Sequence, residues 1–282
     1  MGWSPAALQG VTDKTSFSLT EEQNRDACLR SLRFFDLQWS QENMTKAFWF
    51  VANRNISSRL QSGPSCGLIA LQMAMDALGV TSPVPDLDIL SQAQQRGFSN
   101  KGEMFFAENL ARLGEDLFPM TTCECATIPS SSSDVASLLL EGALVLFPYD
   151  ASANHTPGLF SGVKAHWALL KGFAVAVPED TLASISNVEA FRTEEWNTKL
   201  SPLPLPAPLD QQAQNSILQL ENHLVIAQQG KSKHQAVWDY RELVASNLNL
   251  VQPAPSAEKE GLLVPSDLSG LQGRMVIIRR TK

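Results

Sequence analysis

The sequence predicts an α+β protein, with a helical first half packed on an antiparallel sheet and an active-site cleft between them. Two observations carry this prediction. Apolar residues recur at helical spacing through the first 140 positions, and from Gly142 onward short β-favouring runs bounded by turn residues take over. With 282 residues, 44% apolar and 18% charged, the chain is rich enough in apolar side chains to build a core, which excludes a disordered or collagen-like polypeptide.

The elements follow in order. Residues 20–37 read as a helix capped by Thr20, with Glu21 and Glu22 in its first turn and Ala27, Leu29, Leu32, Phe34 and Phe35 supplying apolar surface. An apolar patch, Ala47 to Ala52, follows. The turn Gln61-Ser62-Gly63-Pro64-Ser65-Cys66-Gly67 then feeds a buried helix, marked by Leu68, Leu71, Met75 and Leu78 and ended by Gly79. Further helices are expected at 86–96, at 102–113, where Phe105, Phe106 and Leu110 share a face, and from about Asp134 after the serine run Ser130 to Ser133. Strands are expected at Ala143 to Tyr149, His166 to Val177, Leu224 to Gln228, Ala236 to Tyr240 and Arg274 to Arg279. The stretch 178–222, which includes Pro202-Leu203-Pro204-Leu205-Pro206, reads as an inserted Pro/Ser-rich loop.

Charge and composition exclude several functions. A net charge of −7 argues against a general nucleic-acid binder, which carries a basic footprint. No apolar run approaches the roughly 18 residues that span a bilayer, and Met1 to Pro5 lacks a basic, apolar leader, so a cytoplasmic location is expected. Four cysteines, Cys28, Cys66, Cys123 and Cys125, are too few and too unevenly spaced for a disulfide framework. Cys123-Glu124-Cys125 lacks the two-residue spacer and the second pair of a zinc site, so no metal and no cofactor is expected. Gly230-Lys231-Ser232 imitates the tail of a phosphate loop, but Val225 stands where the leading glycine is required.

The chemistry centres on Cys66. A thiol at the first turn of a helix faces the positive end of its dipole, which favours thiolate and lowers the pKa. Gly67 would let a substrate backbone approach closely. The oxyanion formed by attack on an acyl carbon needs donors, which the Gln61 side-chain amide and the Cys66 backbone N–H would supply. His166, opening a strand, is the candidate base; His155 lies in a loop, and His223 and His234 flank the later strand as structural or solvated residues. Gln229, in Ala227-Gln228-Gln229-Gly230, is the candidate for the group that orients the imidazole.

Five segments, in order, complete the pattern: Gln61 to Leu68, Gly102-Glu103-Met104-Phe105, Pro148-Tyr149-Asp150 with Asn154-His155, Lys164-Ala165-His166-Trp167-Ala168, and Gln229-Gly230-Lys231-Ser232 with Trp238-Asp239-Tyr240. Together they resemble the actin maturation protease family, a C39-like branch of the papain-fold cysteine peptidases. The likeness runs from about residue 40 to the C-terminus, which divides the chain into a helical segment, 1–40, and a C39-like cysteine peptidase domain, 41–282. It implies a thiol aminopeptidase that removes an acetylated Met or Cys from immature actin, with Cys66 as nucleophile, His166 as base and Gln61 as oxyanion donor. Profilin is a further partner that the resemblance suggests, but the proline-rich N-terminal segment thought to engage it is not seen in this sequence.

Actin's N-terminus is acidic and the chain is acidic too, so attraction must be local. Lys164 and Lys171 flank His166, and Lys231 and Lys233 follow Gln229; of these, Lys164 and Lys231 are the expected substrate-binding residues. Two other functions use the same residues: a thiol acyltransferase or deamidase built on Cys66 and His166, and a non-catalytic actin- or profilin-binding module.

Overall fold

The computed structural model describes residues 16–17, 21–43, 48–83, 88–182, 203–205 and 209–281. In chain order the first half forms β1 (Ser16–Phe17), α1 (Glu21–Asn43), β2 (Phe48–Asn53), β3 (Ser58–Arg59), α2 (Cys66–Leu78), α3 (Ile89–Gln95), α4 (Ala107–Leu117), β4 (Thr121–Thr127) and α5 (Ser132–Leu140). The second half adds β5 (Leu144–Asp150), β6 (Ala165–Val177), α6 (Glu179–Leu182), β7 (Leu203–Pro204), α7 (Gln211–Leu218), β8 (Leu224–Gln229), β9 (Ala236–Asp239), α8 (Tyr240–Leu248) and β10 (Arg274–Arg280). The architecture is α+β and papain-like, with the helix that begins at Cys66 laid against an antiparallel sheet.

The 13-residue strand β6 is the axis of that sheet. Its edge toward β8 is paired from Ala168 to Ala174, while β5 and then β2 follow one another along the opposite edge. The change from β5 to β2 falls at a register shift between Leu170 and Gly172. Gly172 is required there, because a Cβ would sit 2.4 Å from the Ala52 carbonyl oxygen. β10 bridges β5 and β4, and among the described residues the short β7 is the one strand parallel to its neighbour, β2.

Alternation along the strands buries both faces. Leu144, Leu146, Trp167, Leu169, Val276 and Ile278 pack against α2 and α4. Val145, Phe147, Ala168, Leu170, Met275 and Ile277 pack among residues of α5, α7 and α8. Helix α1 covers a third cluster, where Cys28, Leu29 and Leu32 meet Trp49, Val51, Ala174 and Ile226.

Several elements differ from the sequence expectations. α1 runs to Asn43, and Phe34 is exposed rather than packed; Thr20 lies outside the described residues. The patch Ala47 to Ala52 is largely β2, and β4 was not anticipated although its first four residues alternate in burial. Residues 103–106 form an extended loop, so the helix expected at 102–113 begins at Ala107. Within 178–222 the helix α7 buries Ala213 and Ile217, so this stretch is not simply a loop, and part of its proline run lies outside the described residues.

Lys171 is also not where its spacing from His166 suggested. It is fully buried beside Cys28, its Nζ donates to the Arg54 carbonyl at 3.2 Å, and burial lowers its pKa to about 8. It sits at the register shift of β6, between Leu170 and Gly172, and does not line the cleft.

Asn247 ties the last helix to the sheet. It is completely buried; its Nδ2 donates to the carbonyls of Pro148 (2.8 Å) and Leu271 (3.1 Å), and its Oδ1 accepts from the Gly273 N–H (2.6 Å). Asn247→Ala leaves these backbone groups without a partner and should cost about 3 kcal/mol of stability. A urea midpoint unchanged from wild type would contradict this.

Candidate active site

Cys66 is the first residue of α2, and its neighbour Ser65 leaves the helix end open. The Ser65 side chain caps no backbone N–H of α2, because its Oγ donates to the Ser62 carbonyl at 2.9 Å. The first amides of the helix therefore face the thiol instead of a capping oxygen. The preceding turn is pinned to the far side of the cleft, where the Gln61 N–H donates to the Gly230 carbonyl at 2.7 Å. Gly102, at φ +113°, comes so close that a Cβ would lie 2.8 Å from Ser65 Cβ.

His166 enters from β6. The register pairs Tyr149 with His166 and Ala168 with Gln229, so His166 and Gln229 project from the same face on neighbouring strands. Gln229 Oε1 lies 3.3 Å from His166 Nε2 and also accepts the Lys231 N–H at 2.6 Å. A carbonyl oxygen only accepts, so Nε2 carries the ring proton and Nδ1 is left as the basic nitrogen. Tyr149 packs edge-on against the imidazole at 5.7 Å between centroids, and its hydroxyl donates to the His155 carbonyl at 2.8 Å.

The loop leading to His166 hangs on one carboxylate. Asp150 is completely buried and accepts from the backbone N–H groups of Phe160, Gly162 (3.0 Å) and Lys164 (3.2 Å). This fixes residues 162–164 as one wall of a cavity of about 580 Å³ that Cys66 and His166 share.

Burial dominates the electrostatics. Cys66 and His166 are 8% and 4% exposed. Desolvation pushes the thiol up; N–H donation from Trp167 and Gly67 and the nearby Lys231 charge only partly oppose it. Desolvation likewise lowers His166 to about 4, with the Gln229 bond pulling the other way and the positive charges of Lys231 and His155 adding to the drop. The resting state is thus a neutral thiol and a neutral imidazole lining one cavity. The sequence expectation of a thiol lowered by the helix dipole is corrected here, because the loss of hydration outweighs the dipole.

The other expected residues are placed as follows. Gln61 lines the cavity, one carboxamide N–H donating to the Gly63 carbonyl at 2.8 Å, while its buried Oε1 has no hydrogen-bond partner among the described residues. Lys164 and Lys231 are both exposed at the cavity, and the Lys164 ammonium lies 4.7 Å from the Phe160 ring centroid. Gly67 admits protein rather than substrate: a Cβ would meet Met104 and Trp167 at 3.1 Å. Lys171 takes no part. His155 does line the cavity, 6.2 Å from His166 between ring centroids.

Sequence reasoning missed two features. Glu103, inside the segment Gly102 to Phe105, received no role, yet it is buried at the cavity wall. The stretch 251–273 offered no periodic signal, yet Ala254, Ser256, Ala257, Glu260, Leu262 and Leu271 all line the cavity. Among the described residues, no cluster of three or more His, Cys, Asp or Glu side chains is placed to hold a metal ion. No described helix is long and apolar enough to cross a membrane.

No solved structure matches the chain. The family model for the C-terminal domain of actin maturation protease-like proteins matches residues 56–174, which hold both Cys66 and His166. The chain is 28% identical to the actin maturation protease of Danio rerio, over 82% of this chain and 74% of that protein. It is 30% identical to the proteins of that name from Bos taurus and Drosophila melanogaster, over 82% and 78% of this chain and 66% of each relative. The chain therefore belongs to the actin maturation protease-like family.

Proposed function

We propose that this protein is a cysteine aminopeptidase that removes the acetylated first residue, Met or Cys, from immature actin in the cytosol. The observation that carries the reading is the shared cavity, with Cys66 at an uncapped helix start and the Nε2 of His166 engaged by Gln229. The names of the relatives support a protease acting on actin.

Because both partners rest neutral, attack and proton transfer occur together. His166 Nδ1 takes the thiol proton as Cys66 Sγ bonds to the carbonyl carbon of the acetylated residue. The Cys66 N–H and the second N–H of the Gln61 carboxamide hold the resulting oxyanion. The imidazolium then returns its proton to the departing amine of the shortened chain, leaving a thioester. Water, deprotonated by the same ring, releases the acetyl-amino acid and restores the thiol. Lys164 and Lys231 meet the acidic residues that follow the scissile bond, supplying local attraction where the net charge of −7 opposes it.

Mass spectrometry of actin N-termini after incubation tests the reading. Wild-type protein should release free acetyl-methionine or acetyl-cysteine, and Cys66→Ala should lower the rate about 10³-fold or more. Transfer of the acyl group to another amine would favour an acyltransferase, and unchanged actin with both forms would favour a binding module.

With His166 at about 4, the ring is neutral and basic above that pH and is lost as a base below it. The acid limb of kcat/KM should therefore lie near pH 4; a limb at the ordinary histidine value of 6.5 would contradict the buried, neutral pair.

Reversing the charge of both Lys164 and Lys231 should raise KM about tenfold for an acetylated peptide with an acidic tail and spare one with a neutral tail. Equal losses on the two peptides would count against this role.

A further inference from the structure

We propose that residues 251–263 form a strap that closes the cleft at one end, and that this closed end limits the enzyme to substrates with a single acylated residue before the scissile bond. The inference rests on the peptidase reading and explains why such an enzyme would act only at chain ends.

The strap is anchored to both walls of the cleft. On the histidine side, the N–H groups of Val251 and Gln252 donate to the Ser161 carbonyl at 3.3 and 3.0 Å, and the Ser161 N–H donates to Asn249 Oδ1 at 2.7 Å. Gly162 lies so close that a Cβ would meet the Gln252 carbonyl oxygen at 2.8 Å. On the cysteine side, the Leu263 N–H donates to Glu103 Oε1 at 2.6 Å, Asn100 Nδ2 to the Gly261 carbonyl at 3.3 Å, and Lys101 Nζ to the Glu260 carbonyl at 2.5 Å. Between these anchors, Ala254, Ser256, Ala257, Glu260 and Leu262 line the cavity. A segment fixed to both walls, with its middle facing the space between them, leaves no exit in that direction.

Glu103 is the residue that holds the strap in position. It is 3% exposed, and besides Leu263 it accepts from the N–H groups of Asn100 (2.8 Å) and Lys101 (2.7 Å) and from Ser99 Oγ (3.2 Å). One carboxylate thus shapes the loop that abuts Ser65 and grips the strap. The strap is also braced internally, with the Glu260 N–H on the Ser256 carbonyl at 3.0 Å and the Leu262 N–H on the Ala257 carbonyl at 3.1 Å.

The chemistry of the closed end fits a blocked amino terminus. Met104, Phe105, Ala257, Leu262 and Leu271 present apolar surface, and the Lys101 ammonium is already committed to a carbonyl. A free ammonium would lose hydration there for one exposed carboxylate, Glu260, and a chain-terminal carboxylate would be repelled by that same group, while the strap's own cation, Lys259, does not line the cavity. An acylated residue brings no charge to be desolvated, only amide groups whose burial costs far less than that of an ion. The cations Lys164 and Lys231 lie on other lining segments, where the acidic tail continues.

The test uses purified protein and two peptides that share one acidic tail: acetyl-Met followed by the tail, and the same peptide with Gly-Gly inserted before Met. Cleavage at the bond before the tail is followed by mass spectrometry. Wild type should cut the extended peptide about 100-fold more slowly, and Glu103→Gln, by loosening the strap, should narrow the ratio to about tenfold. Loss on both peptides with the ratio unchanged would mean that Glu103 is only structural and would overturn the proposal.

Leu262→Trp leaves Glu103 intact and fills the closed end. It should slow the acetyl-Met peptide about tenfold while sparing an acetyl-Gly peptide; equal slowing would contradict the assignment. Wild type cutting both peptides equally overturns the strap but leaves the peptidase reading standing. Wild type cutting neither overturns that reading, and the strap inference with it.

Discussion

The contact between Gln229 Oε1 and His166 Nε2 is the constraint on which the rest of the site depends. It spans two strands paired across β6 and β8, and it is doubly determined, since the same oxygen also receives the Lys231 N–H. The glutamine cannot rotate away without abandoning a backbone donor. The imidazole is therefore held in a single tautomer, with Nδ1 unprotonated. In the proposed mechanism Gln229 orients the imidazole, and its long side chain is accommodated because the strand register sets it opposite Ala168, two residues along from the histidine.

Burial then decides how such a pair works. A helix N-terminus, three nearby N–H groups and a lysine all favour a thiolate at Cys66, and an ion pair would be the simple expectation. Yet both side chains are nearly closed off from water, and the cost of desolvating a charge exceeds what those donors return. In the proposed mechanism such a thiol would be unreactive until a substrate carbonyl arrived to receive the sulfur. The same closure excludes bulk water, and the closed end of the strap extends that exclusion beyond the reacting bond.

How much of this was legible in the sequence follows from the range of each interaction. The turn Gln61 to Gly67 and the helix behind it were readable because Gly63, Pro64 and the spacing of Leu68, Leu71 and Met75 act locally. The strands β5, β6, β8 and β10 were readable from their apolar runs. The start of α4 was misread because Glu103 captures the backbone N–H groups of Asn100 and Lys101 just before it and, 160 residues away, that of Leu263, a set of contacts that apolar periodicity cannot foresee. β4 was passed over because Cys123 and Cys125 were weighed as metal ligands rather than as part of an alternating strand. The strap left no signal at all, since its anchors are backbone groups, which every residue carries. Lys171 shows the converse limit, for a lysine near the base in sequence turned out to be buried beside Cys28.

The ring nitrogens of His166, read by nitrogen-15 NMR with wild type and Gln229→Ala compared, test the central claim most directly. The account requires a proton on Nε2, a free Nδ1, and retention of that state down to the neighbourhood of pH 4, with the tautomer becoming mixed in the variant. A proton on Nδ1 in wild type, or a tautomer indifferent to the loss of Gln229, would contradict it.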